Sequence, residues 1–182
     1  LVMAQALDGL TGVNSAMVFC YAAIGLLASI IGIACARVGK NGNPTRALNS
    51  STYSTTAIFI VLTAAATWLL DGFEWRIWGA SAVGLVVGVI IGITTDYFTD
   101  DSKPIVQKVA HASQSGAAFT ILSGVSYGFI SALPAMVGIA VSALTAYKLC
   151  EPLGEGYALF GIAMAAVGML SIVGMIISND AY

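Results

Sequence analysis

Charge is what this sequence has least of. Only 9% of its 182 residues are Asp, Glu, Lys or Arg, against 58% hydrophobic residues, and the mean hydropathy is +0.91. Five long stretches, 13–36, 51–70, 77–95, 117–147 and 157–179, contain no Asp, Glu, Lys or Arg at all. A water-soluble domain of this length interleaves charge with apolar residues to make a wet surface, so that class is excluded. Histidine occurs once, as His111, and cysteine three times, as Cys20, Cys35 and Cys150. There is no Cys-x-x-Cys pair and no Cys/His cluster, which argues against a zinc site and against a disulfide framework. A net charge of −2 leaves no basic face to neutralise phosphates, so nucleic acid is not an expected partner. The first stretch lacks a basic flank and is too long for a secretory signal peptide. Also missing are a Walker loop, a Gly-x-Gly-x-x-Gly fingerprint and any Ser/His/Asp set that one histidine could serve.

What fills the chain instead is hydrocarbon. A helix needs about 20 apolar residues to cross a ~30 Å bilayer core, and each of the five stretches is long enough. The expected fold is an all-α, polytopic transmembrane bundle of five spans in one membrane domain, with lipid as its solvent. Arg37, Lys40 and Arg46 lie between spans one and two, and Lys103 and Lys108 between spans three and four. The opposite connections hold only Arg76 and Lys148. The positive-inside rule makes the richer side cytoplasmic, which puts Leu1 outside and Tyr182 at the cytoplasmic end. Trp68, Phe73, Trp75 and Trp78 then gather at an outer turn, where an interfacial aromatic belt belongs. The chain opens on Leu rather than Met and stops where span five would leave the membrane, so it reads as a piece of a longer protein.

Small residues mark where these helices meet. Gly84, Gly88 and Gly92 recur every four residues in span three and so share one face; Gly161, Ala165 and Gly168 do likewise in span five. Lipid supplies no hydrophobic drive between helices, so such seams provide close van der Waals contact, and packing is preferred to a substrate site as their reading. Span four carries Gly116, Thr120, Ser123, Tyr127 and Ser131 along one face, with Gly124, Gly128 and Pro134 making it easy to bend. A polar stripe in a membrane helix must face protein or water; bonding between helices is favoured over an ion path. This span exceeds the core thickness, so it tilts or projects into the cytoplasm.

No carboxylate sits mid-membrane. Asp96 closes span three and Asp180 closes span five, both at the cytoplasmic boundary, where a charge avoids the roughly 2.5–3.5 kcal/mol that insertion scales assign to the bilayer centre. Asp96 is followed by Asp100, Asp101 and Lys103 and reads first as a helix end entering a solvated loop. No metal-ligating set is assignable.

The residues around these two carboxylates resemble a known family. Tyr157-Ala-Leu-Phe-Gly-Ile-Ala-Met-Ala-Ala-Val-Gly-Met-Leu-Ser171, followed by Ser178-Asn-Asp-Ala-Tyr182, is similar to the helix of membrane-integral, ion-pumping pyrophosphatases that runs from Gly-Met-Leu-Ser to Asp-Ala-Tyr-Gly-Pro-Ile and Asp-Asn-Ala-Gly-Gly. Thr95-Asp-Tyr-Phe-Thr99 resembles that family's Thr-Glu-Tyr-Tyr-Thr. Lys103-Pro104 and Ala112-Ser-Gln-Ser-Gly116-Ala-Ala are similar to the stretch opening its next helix. Ala23-Ile-Gly-Leu-Leu and Leu48-Asn49 are weaker matches. The likeness covers the whole chain in family order.

By that resemblance the five spans correspond to helices seven to eleven of a sixteen-helix pump. Such a pump couples hydrolysis of magnesium-bound pyrophosphate on the cytoplasmic face to export of protons or sodium ions, and works as a homodimer that in some members needs K⁺. Most working carboxylates of the family lie in motifs this chain lacks, so the chain alone is expected to be inactive. The resemblance implies that Asp180 lies at the membrane end of the hydrolytic centre and acts through a neighbouring group. It makes Asp96, which stands where the family has Glu, a candidate for coupling. Phe98 lacks the hydroxyl of the family's second Tyr, and Phe119 departs from a small or polar position. Without the resemblance, the residues also permit a small five-span transporter subunit or a membrane scaffold with no enzymatic activity.

Overall fold

The structure, a computed structural model, describes residues 1–9, 11–35 and 44–171. Its described residues are helical almost throughout: α1 (Val2–Asp8), α2 (Val13–Cys35), α3 (Pro44–Leu69), α4 (Trp75–Thr99), α5 (Pro104–Ser113), α6 (Ala117–Cys150), a 3₁₀ turn (Glu151–Leu153) and α7 (Tyr157–Leu170). Four helical segments are long and apolar enough to cross a membrane: Val13–Ala34, Ser50–Leu69, Trp75–Ser113 and Ala117–Leu153. The fifth expected span, 157–179, runs past the described residues, and its described part, Tyr157–Leu170, is shorter. Asp180 lies outside the described residues, as do Arg37 and Lys40 and the stretch 178–182 that carries part of the resemblance.

Helix boundaries extend beyond the charge-free stretches for local reasons. α3 starts at Pro44, a residue whose fixed φ and missing N–H suit a first helical position. α4 continues through Asp96 to Thr99; the Asp100 N–H bonds the Asp96 carbonyl at 2.9 Å, and Thr94, Thr95 and Thr99 donate their hydroxyls to the carbonyls of Ile90, Ile91 and Thr95 at 2.8–2.9 Å. The turn between α6 and α7 uses Gly154 (φ 127°) and Gly156 (φ 88°), backbone conformations that L side chains rarely adopt. Two helices, α1 and α5, occupy segments outside the apolar stretches.

The chain forms two compact units, one made of Leu1–Val89 with Ser142 onward, the other of Ile90–Val141. In the first, the core joins Ala4, Met17, Tyr21, Ile77, Ala80, Ala146, Cys150, Phe160, Met164 and Ala165, with Phe73 and Trp78 packed against it. A smaller cluster of Ala28, Phe59 and Leu85 lies beside Ile24, Ile58, Ile60 and Val89. Helix direction follows from paired contacts. Asn14 Nδ2 donates to the Tyr157 hydroxyl at 3.4 Å, and further along the same two helices Gly25 faces Ser171, so α2 and α7 run parallel. Gly84 meets Ala165 and Gly88 meets Met169, so α4 also runs parallel to α7. Gly32 abuts Thr55 while Tyr21 bonds Thr67, which makes α2 and α3 antiparallel. The short turn 151–156 folds α7 back on the end of α6, where Gly161 packs against Ala146 and Cys150, so these two run antiparallel. This alternation of direction is what successive membrane crossings require.

In the second unit, α6 from Ala117 to Val141 has no buried residue. Its less exposed positions are Thr120, Ser123, Tyr127, Ser131, Pro134, Ala135 and Gly138, one face that includes the polar stripe. Phe119, Ile121, Leu122, Val125, Phe129, Ile130 and Leu133 are open to the surroundings. In water that surface would be untenable; in hydrocarbon it is ordinary.

Candidate functional site

Of the small residues singled out in spans three and five, Gly84, Gly88, Ala165 and Gly168 meet in one seam, while Gly161 packs on α6. A Cβ on Gly84 would collide with the backbone carbonyl of Ala165, and a Cβ on Gly168 with the backbone carbonyl of Ser81. One turn on, a Cβ on Gly88 would lie 3.1 Å from Met169 Cγ. At Gly84 and Gly168 the two helices therefore pack backbone to backbone, an approach that only glycine permits. Among the described residues nothing lies within 4 Å of a notional Cβ on Gly92.

Hydroxyl groups tie the remaining helices together. Ser51, Thr55, Thr63 and Thr67 are buried along one face of α3. Ser51 donates across to the Gly32 carbonyl of α2, the Tyr21 and Thr67 hydroxyls lie 2.6 Å apart, and Trp78 Nε1 of α4 donates to Thr63 Oγ1 at 3.1 Å. Sequence reasoning overlooked this stripe, although the spacing of Ser51, Thr55, Thr63 and Thr67 in multiples of four carries it. On α6 the expected polar stripe behaves differently: Thr120 donates to the Gly116 carbonyl at 3.3 Å and Ser131 to the Gly128 carbonyl at 2.8 Å, both within their own helix.

Asp8 was also missed, and it is the most tightly held carboxylate among the described residues. It is 7% exposed; Oδ1 accepts the Asn14 N–H at 2.6 Å and Oδ2 the Ser15 N–H at 2.8 Å. Burial alone would raise its pKa, but the bonds from Ser15 and Asn14 outweigh that and hold it below the ordinary carboxylate value. Asp8 thus caps the first turn of α2 from outside the helix, where unpaired N–H groups and the helix dipole favour an anion. Its signal was Asp-Gly followed by Thr-Gly just ahead of an apolar run.

Asp96 is half-buried on the last turns of α4, and among the described residues no hydrogen bond or ion pair reaches its carboxylate. Neighbouring Asp100 is engaged: its Oδ1 accepts from Ser102 N–H at 2.9 Å and from Ser102 Oγ at 2.7 Å, and Lys103 Nζ approaches Oδ2 at 3.7 Å. The Ser102 bonds, helped by Lys103, hold the Asp100 carboxyl below its usual range. Tyr97 and Phe98 stack edge to face with centroids 5.6 Å apart. Among the described residues no three His, Cys, Asp or Glu side chains converge as metal ligands. The structure brings α4 and α7 together, and it does not assemble a hydrolytic centre from the described residues.

Comparison with known proteins supplies what the geometry leaves open. The family model described as inorganic H⁺ pyrophosphatase matches residues 2–182. A Clostridium tetani protein whose name proposes a K(+)-stimulated pyrophosphate-energized sodium pump is 41% identical over 163 residues, covering 87% of this chain and 24% of that protein. The K(+)-insensitive pyrophosphate-energized proton pump of Methanosarcina mazei is 35% identical over 158 residues, 86% of this chain and 23% of its own length. The K(+)-stimulated pyrophosphate-energized sodium pump of Thermotoga maritima is 30% identical over 175 residues, 89% and 23% respectively. The chain thus spans about a quarter of the length of these relatives.

Proposed function

The chain belongs to the inorganic H⁺ pyrophosphatase family, and from that premise we propose that the complete protein is a pyrophosphate-energised pump exporting protons or sodium ions. The observation that carries this reading is the match over residues 2–182, which takes in every described helix rather than one motif. Relatives named as sodium pumps and as proton pumps both match, so the exported ion is one of these two.

Within such a pump this chain supplies helices rather than the reacting groups. α7 carries the Gly-Met-Leu-Ser signature and is held by glycine contacts on α4, α6 and α2 at once. That packing fixes α7 in place as far as Leu170. Asp180 then stands near the hydrolytic centre at the cytoplasmic face and orients a neighbouring group there. Asp96, with no partner of its own among the described residues, is the candidate for linking hydrolysis to ion movement. α6, with its polar, glycine-bearing face, is suited to a subunit contact in a homodimer.

Phosphoryl transfer demands neutralisation of the phosphate charges, which Mg²⁺ supplies in such chemistry, and K⁺ belongs to the names of several relatives. The described residues do not fit a magnesium site, since no ligand set converges among them. On this reading most of the metal-binding carboxylates are supplied by other parts of the complete protein. Purified full-length protein should release phosphate from pyrophosphate only when Mg²⁺ is present, with K⁺ either stimulating or without effect. No release under any cation condition would overturn the reading in favour of a non-enzymatic membrane scaffold.

A further inference from the structure

The connection between α4 and α6 contains a helix, α5, none of whose residues is buried. Advancing 100° per residue, Ile105, Val106, Val109 and Ala112 fall on one half of its circumference, and Gln107, Lys108 and His111 on the other. The apolar four are half-buried; the polar three are exposed. Both ends are tied short, because α4 ends at Thr99 and α6 opens at Ala117. A linker reaches at most about 3.5 Å per residue, so α5 stays close to the ends of two membrane-spanning helices.

The level of the bilayer at those ends can be read from α6. Phe119, Ile121 and Leu122 are 56%, 66% and 67% exposed within the first two turns, and surface of that kind belongs in hydrocarbon. With α6 accommodating its length by tilt, Gly116 lies at the membrane boundary, and α5, only three residues earlier, lies with it. At ten residues α5 is about 15 Å long and cannot cross. We infer that α5 is an interfacial helix lying in the plane of the bilayer surface, with Ile105, Val106 and Val109 toward the acyl chains and Lys108 and His111 toward water and lipid phosphates. Lys103 is engaged by Asp100, which leaves Lys108 as the headgroup cation. Tethering at both ends removes most of the entropic cost of adsorption, so a modest apolar face suffices. The inference needs only that α4 and α6 span a membrane; it stands or falls independently of pyrophosphate chemistry.

The test uses the full-length protein, freed of native cysteines, with single nitroxide labels from 105 to 112 in phospholipid vesicles. Collision rates with molecular oxygen, which concentrates in hydrocarbon, and with a water-soluble nickel chelate are compared at each position. The oxygen-to-nickel ratio should oscillate with the helical period, highest at 105, 106, 109 and 112 and lowest at 107, 108 and 111. Free access of nickel at every position would place α5 in water and overturn the inference. Shielding of 105, 106 and 109 from both reagents would show that protein covers this face, and would overturn it equally. Labels at 105 to 108 alone span both faces, so the comparison survives if a label at Val109 prevents folding.

Discussion

Asp8 shows how one side chain settles the start of a membrane helix. The first N–H groups of α2 have no partner inside the helix, and in or near lipid there is little water to satisfy them. A carboxylate held below its ordinary pKa, accepting from Asn14 and Ser15, resolves both deficits. Replacing it, Asp8→Ala, should cost about 1–2 kcal/mol of stability, the usual range for a lost cap. Thermal unfolding of the detergent-solubilised full-length protein checks this, and an unchanged midpoint at neutral pH would contradict it. The pH dependence has a definite sign. Because the folded pKa lies below 3.8, the contribution is fully present above that pH and is lost as pH falls through the folded value. The wild-type advantage over Asp8→Ala should therefore shrink only in strongly acidic solution. Asp96 is the opposite case: its place at a helix end was legible from the charge that follows it, but its lack of a partner was not, since that depends on what packs around α4.

At the scale of elements, the seam between α4 and α7 decides how much freedom span five has. Gly84→Ala or Gly168→Ala puts a methyl group into a facing backbone carbonyl, which cannot swing aside as a side chain would. Each should destabilise the full-length protein by about 1–3 kcal/mol, the range for overpacking, and lower the yield of folded protein. Gly92→Ala, whose Cβ meets nothing within 4 Å among the described residues, should be better tolerated than either in the same unfolding assay. Equal tolerance of all three substitutions would show that the two helices do not meet here. This seam was readable in advance because glycine every four residues has one physical use in lipid, close approach of backbones. The hydroxyl face of α3 was harder to read, because Ser and Thr at Ser50–Thr56 occur on all sides of the helix and only packing selects Ser51 and Thr55. α1 and α5 were invisible to a search for long apolar runs, since helices of 7 and 10 residues give little periodic signal. On α6 the polar stripe was correctly placed on a face, but whether Thr120 and Ser131 bond outward or to their own helix is a choice of rotamer that spacing does not encode.

For the whole molecule, membrane class was written in the near-absence of charge, and family in a few motifs spread along the chain. The hydrolytic centre was not legible in the same way, because about three quarters of the relatives' length lies outside this chain and no three metal-ligating side chains converge among the described residues. Asp180 was recognisable only through its motif, and its surroundings lie beyond the described residues. What the chain does establish is a membrane-spanning scaffold in which α2, α4 and α7 run in one direction and α3 and the end of α6 in the other. The most direct test of the account is made with the full-length protein in sealed vesicles, its cytoplasmic face outward, supplied with pyrophosphate and Mg²⁺ while proton and sodium uptake are followed separately. The account predicts phosphate release accompanied by accumulation of one of the two cations, both ceasing together when pyrophosphate is exhausted. Intact, folded protein that neither releases phosphate nor moves either cation would contradict it.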